Sequence, residues 1–191
     1  MKKLFTLLAL ICLFNMSAQI STGNTNNSGT YSSAIGFQTS AVGDYSTAMG
    51  YNTTSSASYC TAMGYATTAS GSTSTAMGVN TTASGDGSTS LGNQTIASAN
   101  NSSAMGASTT ASGEVSTAMG YATTANGSTS TSMGLSTMAN GEVSTAMGLG
   151  TTANGSISVA MGRNTTASDY GSLVIGQYNS SGSTITTSST A

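Results

Sequence analysis

Histidine, proline and tryptophan do not occur in this chain of 191 residues, and cysteine occurs only twice. Lys and Arg together number three and Asp and Glu five, so charged residues make up 4% of the sequence. Without histidine and with so few carboxylates, there is little material for the nucleophile and base pairs that catalysis needs. The scarcity of Lys and Arg excludes the basic footprint of a nucleic-acid binder. Long apolar runs are missing too, with one short exception. Lys2 and Lys3 precede an apolar stretch from Leu4 to Phe14, closed by Met16-Ser17-Ala18. This is the layout of a secretory signal peptide over residues 1–18, and it is too short for a spanning helix. Cys12 follows Ile11, whereas a lipoprotein cleavage site wants a small residue there, so lipidation is not expected.

Past residue 18, Arg163 stands alone against Asp44, Asp86, Glu114, Glu142 and Asp169, a net charge of −4, and Cys60 is the one cysteine left. Gly, Ser, Thr and Ala dominate, a composition that taken alone suggests a low-complexity, disordered segment. The order of the residues says otherwise. Glycine returns every 14 residues from Gly36 through Gly50, Gly64, Gly78, Gly92, Gly106, Gly120, Gly134, Gly148 and Gly162 to Gly176. The residue before each of these eleven glycines is Met, Leu or Ile. A period this short means one supersecondary unit stacked on itself.

A 14-residue coil has room for two short strands and two tight turns, which predicts an all-β parallel β-roll of about eleven coils. The glycines at the fixed phase are read as one turn. A second set seven residues on, including Gly43, Gly71, Gly85, Gly113, Gly127, Gly141 and Gly155, is read as the other, with positive φ expected there. The roll is expected to span residues 29–182, after a leader at 19–28 and before a polar tail at 183–191.

Strand one is typified by Ser46-Thr47-Ala48-Met49. Side chains alternate along a strand, so its Ala and Met columns point to opposite faces, and both faces are apolar. The pairs Ala48 and Met49, Ala62 and Met63, Ala76 and Met77, Ala118 and Met119, Ala146 and Met147, and Ala160 and Met161 are therefore candidate core and subunit-interface columns. A thin interior of Ala, Thr and one aliphatic row is expected, with self-association covering what remains. On that expectation Lys at Met105 and Met119 would unfold the stack. Strand two, as in Ala122-Thr123-Thr124-Ala125, puts Thr123 and Ala125 on one face and Thr124 on the other.

The units Ser-Thr-Ala-Met-Gly and Thr-x-Ala-x-Gly, repeated over roughly Gly29 to Gly182, resemble the head repeats of YadA-type trimeric autotransporter adhesins. Ser46, Ala48 and Gly50 match that family's Ser-Val-Ala-Ile-Gly motif directly, while Thr47 and Met49 stand where Val and Ile are usual. Ser158-Val159-Ala160-Met161-Gly162 is the nearest copy. The resemblance implies a left-handed roll, a homotrimer, and attachment to a host matrix protein or cell-surface receptor. A neck, a heptad-patterned stalk and barrel strands are not recognisable before the terminal Ser183–Ala191 stretch, so a piece of a longer adhesin or a short secreted relative is expected.

Two other sets of columns stand out. Thr54, Thr68, Thr82, Thr110, Thr124, Thr152 and Thr166 form an outward ladder interrupted by Ile96 and Met138. It is a candidate binding face, and ice binding is the alternative function it suggests, with a structural spacer as a third. Tyr31, Tyr45 and Tyr59, and Phe37, Tyr51 and Tyr65, form aromatic columns expected to pack on one another. Most turns lack the acid that calcium-binding repeats require. No cofactor, metal or catalytic residue is assigned, and no membrane-spanning segment.

Overall fold

The computed structural model of the protein describes residues 23–181. The signal peptide at 1–18 and the tail at 183–191 lie outside the described residues. Within them the chain is all-β, with 22 strands from β1 (Asn26–Asn27) to β22 (Leu173–Gln177) and no helix. The strands form two parallel sheets of eleven, one from the five-residue strands and one from the two-residue strands. Each strand pairs with its equivalent one coil away, in a register of 14 residues: Ala48 lies beside Ala62 and Met49 beside Met63. At about 4.8 Å per coil the stack is on the order of 50 Å long. Among the described residues pairing already occurs inside the stretch read as a leader, where Asn26–Asn27 lies against Ser40–Ala41.

The interior holds only small side chains. Four columns meet between the sheets: the serines at Ser46, Ser74 and their equivalents, the alanines at Ala48 and Ala62, the threonines at Thr53 and Thr67, and the second alanines at Ala69 and Ala83, all fully or almost fully buried. Threonine is the largest side chain fully inside. The expected aliphatic row is not among them. Met49, Met63, Met105, Met119, Met133, Met147 and Met161 are half-buried on the outer face of the long-strand sheet, and Met77 is 38% exposed. Two sheets joined by turns this short sit too close for a thioether to fit between them, so alternation sends alanine in and methionine out.

The glycines also act differently from the sequence expectation. Gly50 and its equivalents lie within strands (Thr47–Tyr51 for Gly50) at φ near 124°, and a Cβ on Gly50 would sit 2.0 Å from the carbonyl oxygen of Gly64. The second set, such as Gly113, does not have positive φ; it is glycine because a Cβ there would meet the Gly127 carbonyl oxygen at 2.0 Å. Left-handed turns occur two residues later in each case, on residues that are mostly not glycine. Asn52, Ala66 and Asn80 fill one column, and Tyr45, Tyr59, Val115, Val143 and Ile157 the other, all with φ between 52° and 60°. Backbone hydrogen bonds between coils hold these turns, as when Asn52 N–H donates to Phe37 O at 2.9 Å and Tyr45 N–H to Thr30 O at 2.8 Å.

Interior hydroxyls divide into satisfied and orphaned. Thr123 Oγ1 has no partner, nor do those of Thr39, Thr53, Thr67, Thr81, Thr109, Thr151 and Thr165. The two exceptions in the column are Thr95 and Thr137. In those coils the facing alanine is replaced by Ser90 or Ser132, whose Oγ lies 2.7 Å from the threonine Oγ1. An orphaned buried hydroxyl carries its desolvation cost uncompensated, whereas a paired one does not. Thr123→Val is therefore expected to raise stability by about 1 kcal/mol, and Thr137→Val to lower it by a similar amount by stranding Ser132. Urea midpoints of the two variants check this, and equal shifts would refute it.

Candidate functional site

The roll presents two broad faces and two edges. The outer face of the two-residue strands carries the threonine ladder. Thr54, Thr68, Thr82, Thr110, Thr124, Thr152 and Thr166 are all half-buried there, directly in register. Ile96 and Met138 take the same column at 42% and 41% exposure. The ladder is one residue wide. The neighbouring column is serine and asparagine apart from Val42, and from Ser112 to Asn154 it forms a side-chain chain: Ser112 Oγ to Asn126 Oδ1 at 2.7 Å, then Asn126 Nδ2 to Asn140 Oδ1 and Asn140 Nδ2 to Asn154 Oδ1, each at 2.8 Å. These amides are engaged in holding coils together.

The outer face of the five-residue strands bears three columns: Thr47 and its equivalents, the Met column, and an edge column of Phe37, Tyr51, Tyr65, Tyr121, Leu135 and Leu149. Ala48, Ala62, Ala76, Ala118, Ala146 and Ala160 point the other way and are wholly enclosed. The structure thus separates the paired candidates: the alanines are core, and Met49, Met63, Met77, Met119, Met147 and Met161 line an outer face.

Aromatic stacking occurs on both edges near the N-terminal end. Phe37, Tyr51 and Tyr65 stack at 5.5 and 5.1 Å, and Tyr31, Tyr45 and Tyr59 at 5.3 and 5.0 Å. Stacked so, the rings turn their faces to one another and their rims to solvent. The carboxylates of the described residues also share one edge. Asp44, Asp86, Glu114 and Glu142 are exposed in one column, and Asp169 lies at the same edge. Asp44 Oδ1 accepts from Thr30 N–H and Asp86 Oδ1 from Ser72 N–H, both at 2.8 Å, so these two cap the preceding coil. Arg163 lies on the opposite edge, 5.7 Å from the centre of the Tyr178 ring. Cys60 is fully buried, its thiol 2.9 Å from Ala57 O, in the position where Ser102 hydrogen-bonds Ala99 O. It stands in for serine.

Among the described residues no three His, Cys, Asp or Glu side chains come together as a metal site. No helix among them is long and apolar enough to cross a membrane.

A two-sheet parallel solenoid whose surface is a set of residue columns defines a repeat protein with extended faces. The model of the YadA head domain repeat matches residues 28–53, 61–81, 69–95, 83–109, 97–123, 111–137, 139–162 and 153–179. The chain belongs to the YadA head domain repeat family. That family is a structural, adhesin-type one and not an enzyme family. No curated protein matches the chain.

Proposed function

We propose that the protein is the exported, surface-displayed head of a bacterial adhesin, assembled as a homotrimer and attaching its cell to a host matrix protein or cell-surface receptor. Membership of the head repeat family carries this reading. The half-buried Met column supports the assembly: it gives the long-strand sheet an apolar stripe running the length of the stack, of the kind a second copy covers. Attachment would draw on a surface repeated over many coils, so that strength comes from many weak contacts engaged together.

The test has two arms. Light scattering on the purified protein is expected to give three times the mass of one chain. Beads coated with it are expected to adhere to matrix-coated surfaces or cell monolayers, and beads coated with a heat-unfolded sample are not. A monomer would refute the assembly, and equal retention of both bead types would refute the adhesion.

A further inference from the structure

Tyrosine is an unexpected residue where a chain turns left-handed. Tyr31, Tyr45 and Tyr59 hold φ of 56°, 58° and 60°, a conformation that glycine and asparagine adopt readily and a bulky side chain does not. Gly87, Asn101 and Gly171 fill the same column further along. Burial does not account for the rings, since the three residues are 74%, 51% and 61% exposed. Recognition through the ring faces does not either, because those faces are turned to one another. What the ladder leaves open is its rim, and the rim of a phenol carries the hydroxyl and the ring carbons ortho to it. Those are the atoms that react when a phenol loses one electron.

We propose that Tyr45 and Tyr59 are a site of oxidative cross-linking, joined by hydrogen peroxide and a peroxidase into a dityrosine that ties two adjacent coils together. Their centroids are 5.0 Å apart and their planes 2° from parallel, so corresponding carbons of the two rings lie about as close as the centroids. Each hydroxyl gives up one electron and one proton, leaving a phenoxyl radical whose unpaired electron is shared with the ortho carbons. One ortho carbon of each ring then joins in a new C–C bond. The hydrogen on each joined carbon moves to the oxygen and restores the phenol, while the peroxide takes up the two electrons and two protons and leaves as two waters. Tyr31, 5.3 Å from Tyr45, extends the ladder, so a radical formed there passes to the pair. Tyr51 and Tyr65 stack at 5.1 Å on the opposite edge of the same two coils. They belong to the long-strand face, which a second copy covers in the proposed assembly. The proposal therefore rests on Tyr45 and Tyr59, at the edge that carries Asp44. Coils of a solenoid are held by their neighbours, so a covalent bond across one interface closes a point at which the stack opens. Both residues belong to a single chain, and the inference stands whether or not the protein is an adhesin.

The experiment treats the purified protein, at high dilution, with hydrogen peroxide and a haem peroxidase. Dityrosine fluorescence follows the reaction, and mass spectrometry of a digest maps the products. The parent is expected to yield a product within one chain that joins the peptides of Tyr45 and Tyr59 and is lighter than their sum by two hydrogens. The cross-linked protein is expected to melt at a higher temperature than the untreated one. Tyr45→Phe keeps a ring in the stack, as Phe37 does beside Tyr51, and leaves Tyr31 and Tyr59 about 10 Å apart. In that variant Tyr59 is expected to form no cross-link. Tyr121→Phe is expected to leave the Tyr45–Tyr59 product at the parent's yield, because the neighbours of Tyr121 in its column are Ala107 and Leu135. Absence of the Tyr45–Tyr59 product from the parent, coupling of these residues only between separate chains, undiminished coupling of Tyr59 in Tyr45→Phe, or unchanged melting of the cross-linked protein would overturn the proposal.

Discussion

Gly120→Ala is expected to destabilise the roll by on the order of 3–5 kcal/mol, among the largest effects a single methyl group can have. Two penalties add at this position. The backbone sits at φ +125°, a conformation an L side chain rarely adopts, and the new Cβ would lie 2.0 Å from the carbonyl oxygen of Gly134 in the next coil. That oxygen belongs to a strand held by its neighbours on both sides, so it cannot retreat without breaking pairing. Gly113→Ala is the control. Its Cβ meets the Gly127 carbonyl oxygen at the same 2.0 Å, but its φ is ordinary. Alanine already holds the equivalent place at Ala57 and Ala99, where the second hydrogen bond that Gly113 N–H makes to Ala125 O at 3.1 Å is not formed. The turn can give there, and a loss of about 1–2 kcal/mol is expected. Chemical denaturation of both variants, followed by circular dichroism, measures the difference. Equal losses would show that crowding alone, and not backbone conformation, selects glycine at position 120.

The second large effect separates two adjacent residues. Ala118→Leu is expected to cost at least about 3 kcal/mol, the upper end for overpacking, because Ala118 is fully enclosed beside Ala104, Ala111 and Ala125 in a layer whose largest fully buried side chain is threonine. Met119→Lys, one residue along, is expected to change the stability of the single chain by no more than about 0.5 kcal/mol. Its stem can lie along the sheet with the ammonium in water. Its effect should instead fall on assembly, by placing a charge in each copy of an apolar stripe. Thermal melts and light scattering on the two variants distinguish the faces. Unfolding by Met119→Lys together with tolerance of Ala118→Leu would reverse the assignment of inside and outside.

These contrasts also show what could be read from residue order. A constant 14-residue phase is a one-dimensional property, and it maps directly onto the register that pairs Met105 with Met119 and Thr110 with Thr124. The inward turn of Thr123 and Ala125 followed from alternation alone. Alternation, however, fixes only that Ala118 and Met119 oppose each other. Deciding which goes inside requires the distance between the sheets, and that depends on turns closed by left-handed residues as varied as Tyr45, Ala66 and Ile157. Those turns hold glycine only at Gly87, Gly150 and Gly171 among the described residues, too few to mark a column, whereas the periodic glycines marked close approach of neighbouring coils at Gly113 and an unusual strand conformation at Gly120. The surface was half legible. The outward threonines and the stacked tyrosines were placed correctly by period. The carboxylate column at Asp44, Asp86, Glu114 and Glu142 and the row of thioethers at one phase were equally plain in the period, whereas the placement of that row on an outer face was not.

Because each coil touches little besides the ones above and below it, the molecule behaves as a ruler with interchangeable divisions. Duplicating or deleting one whole 14-residue division would lengthen or shorten its reach by about 5 Å and leave every remaining contact type intact. Removing 13 or 15 residues would instead turn alanines toward water and methionines toward the interior from that point onward. Evolution can therefore adjust how far this body extends in whole steps, and only in whole steps.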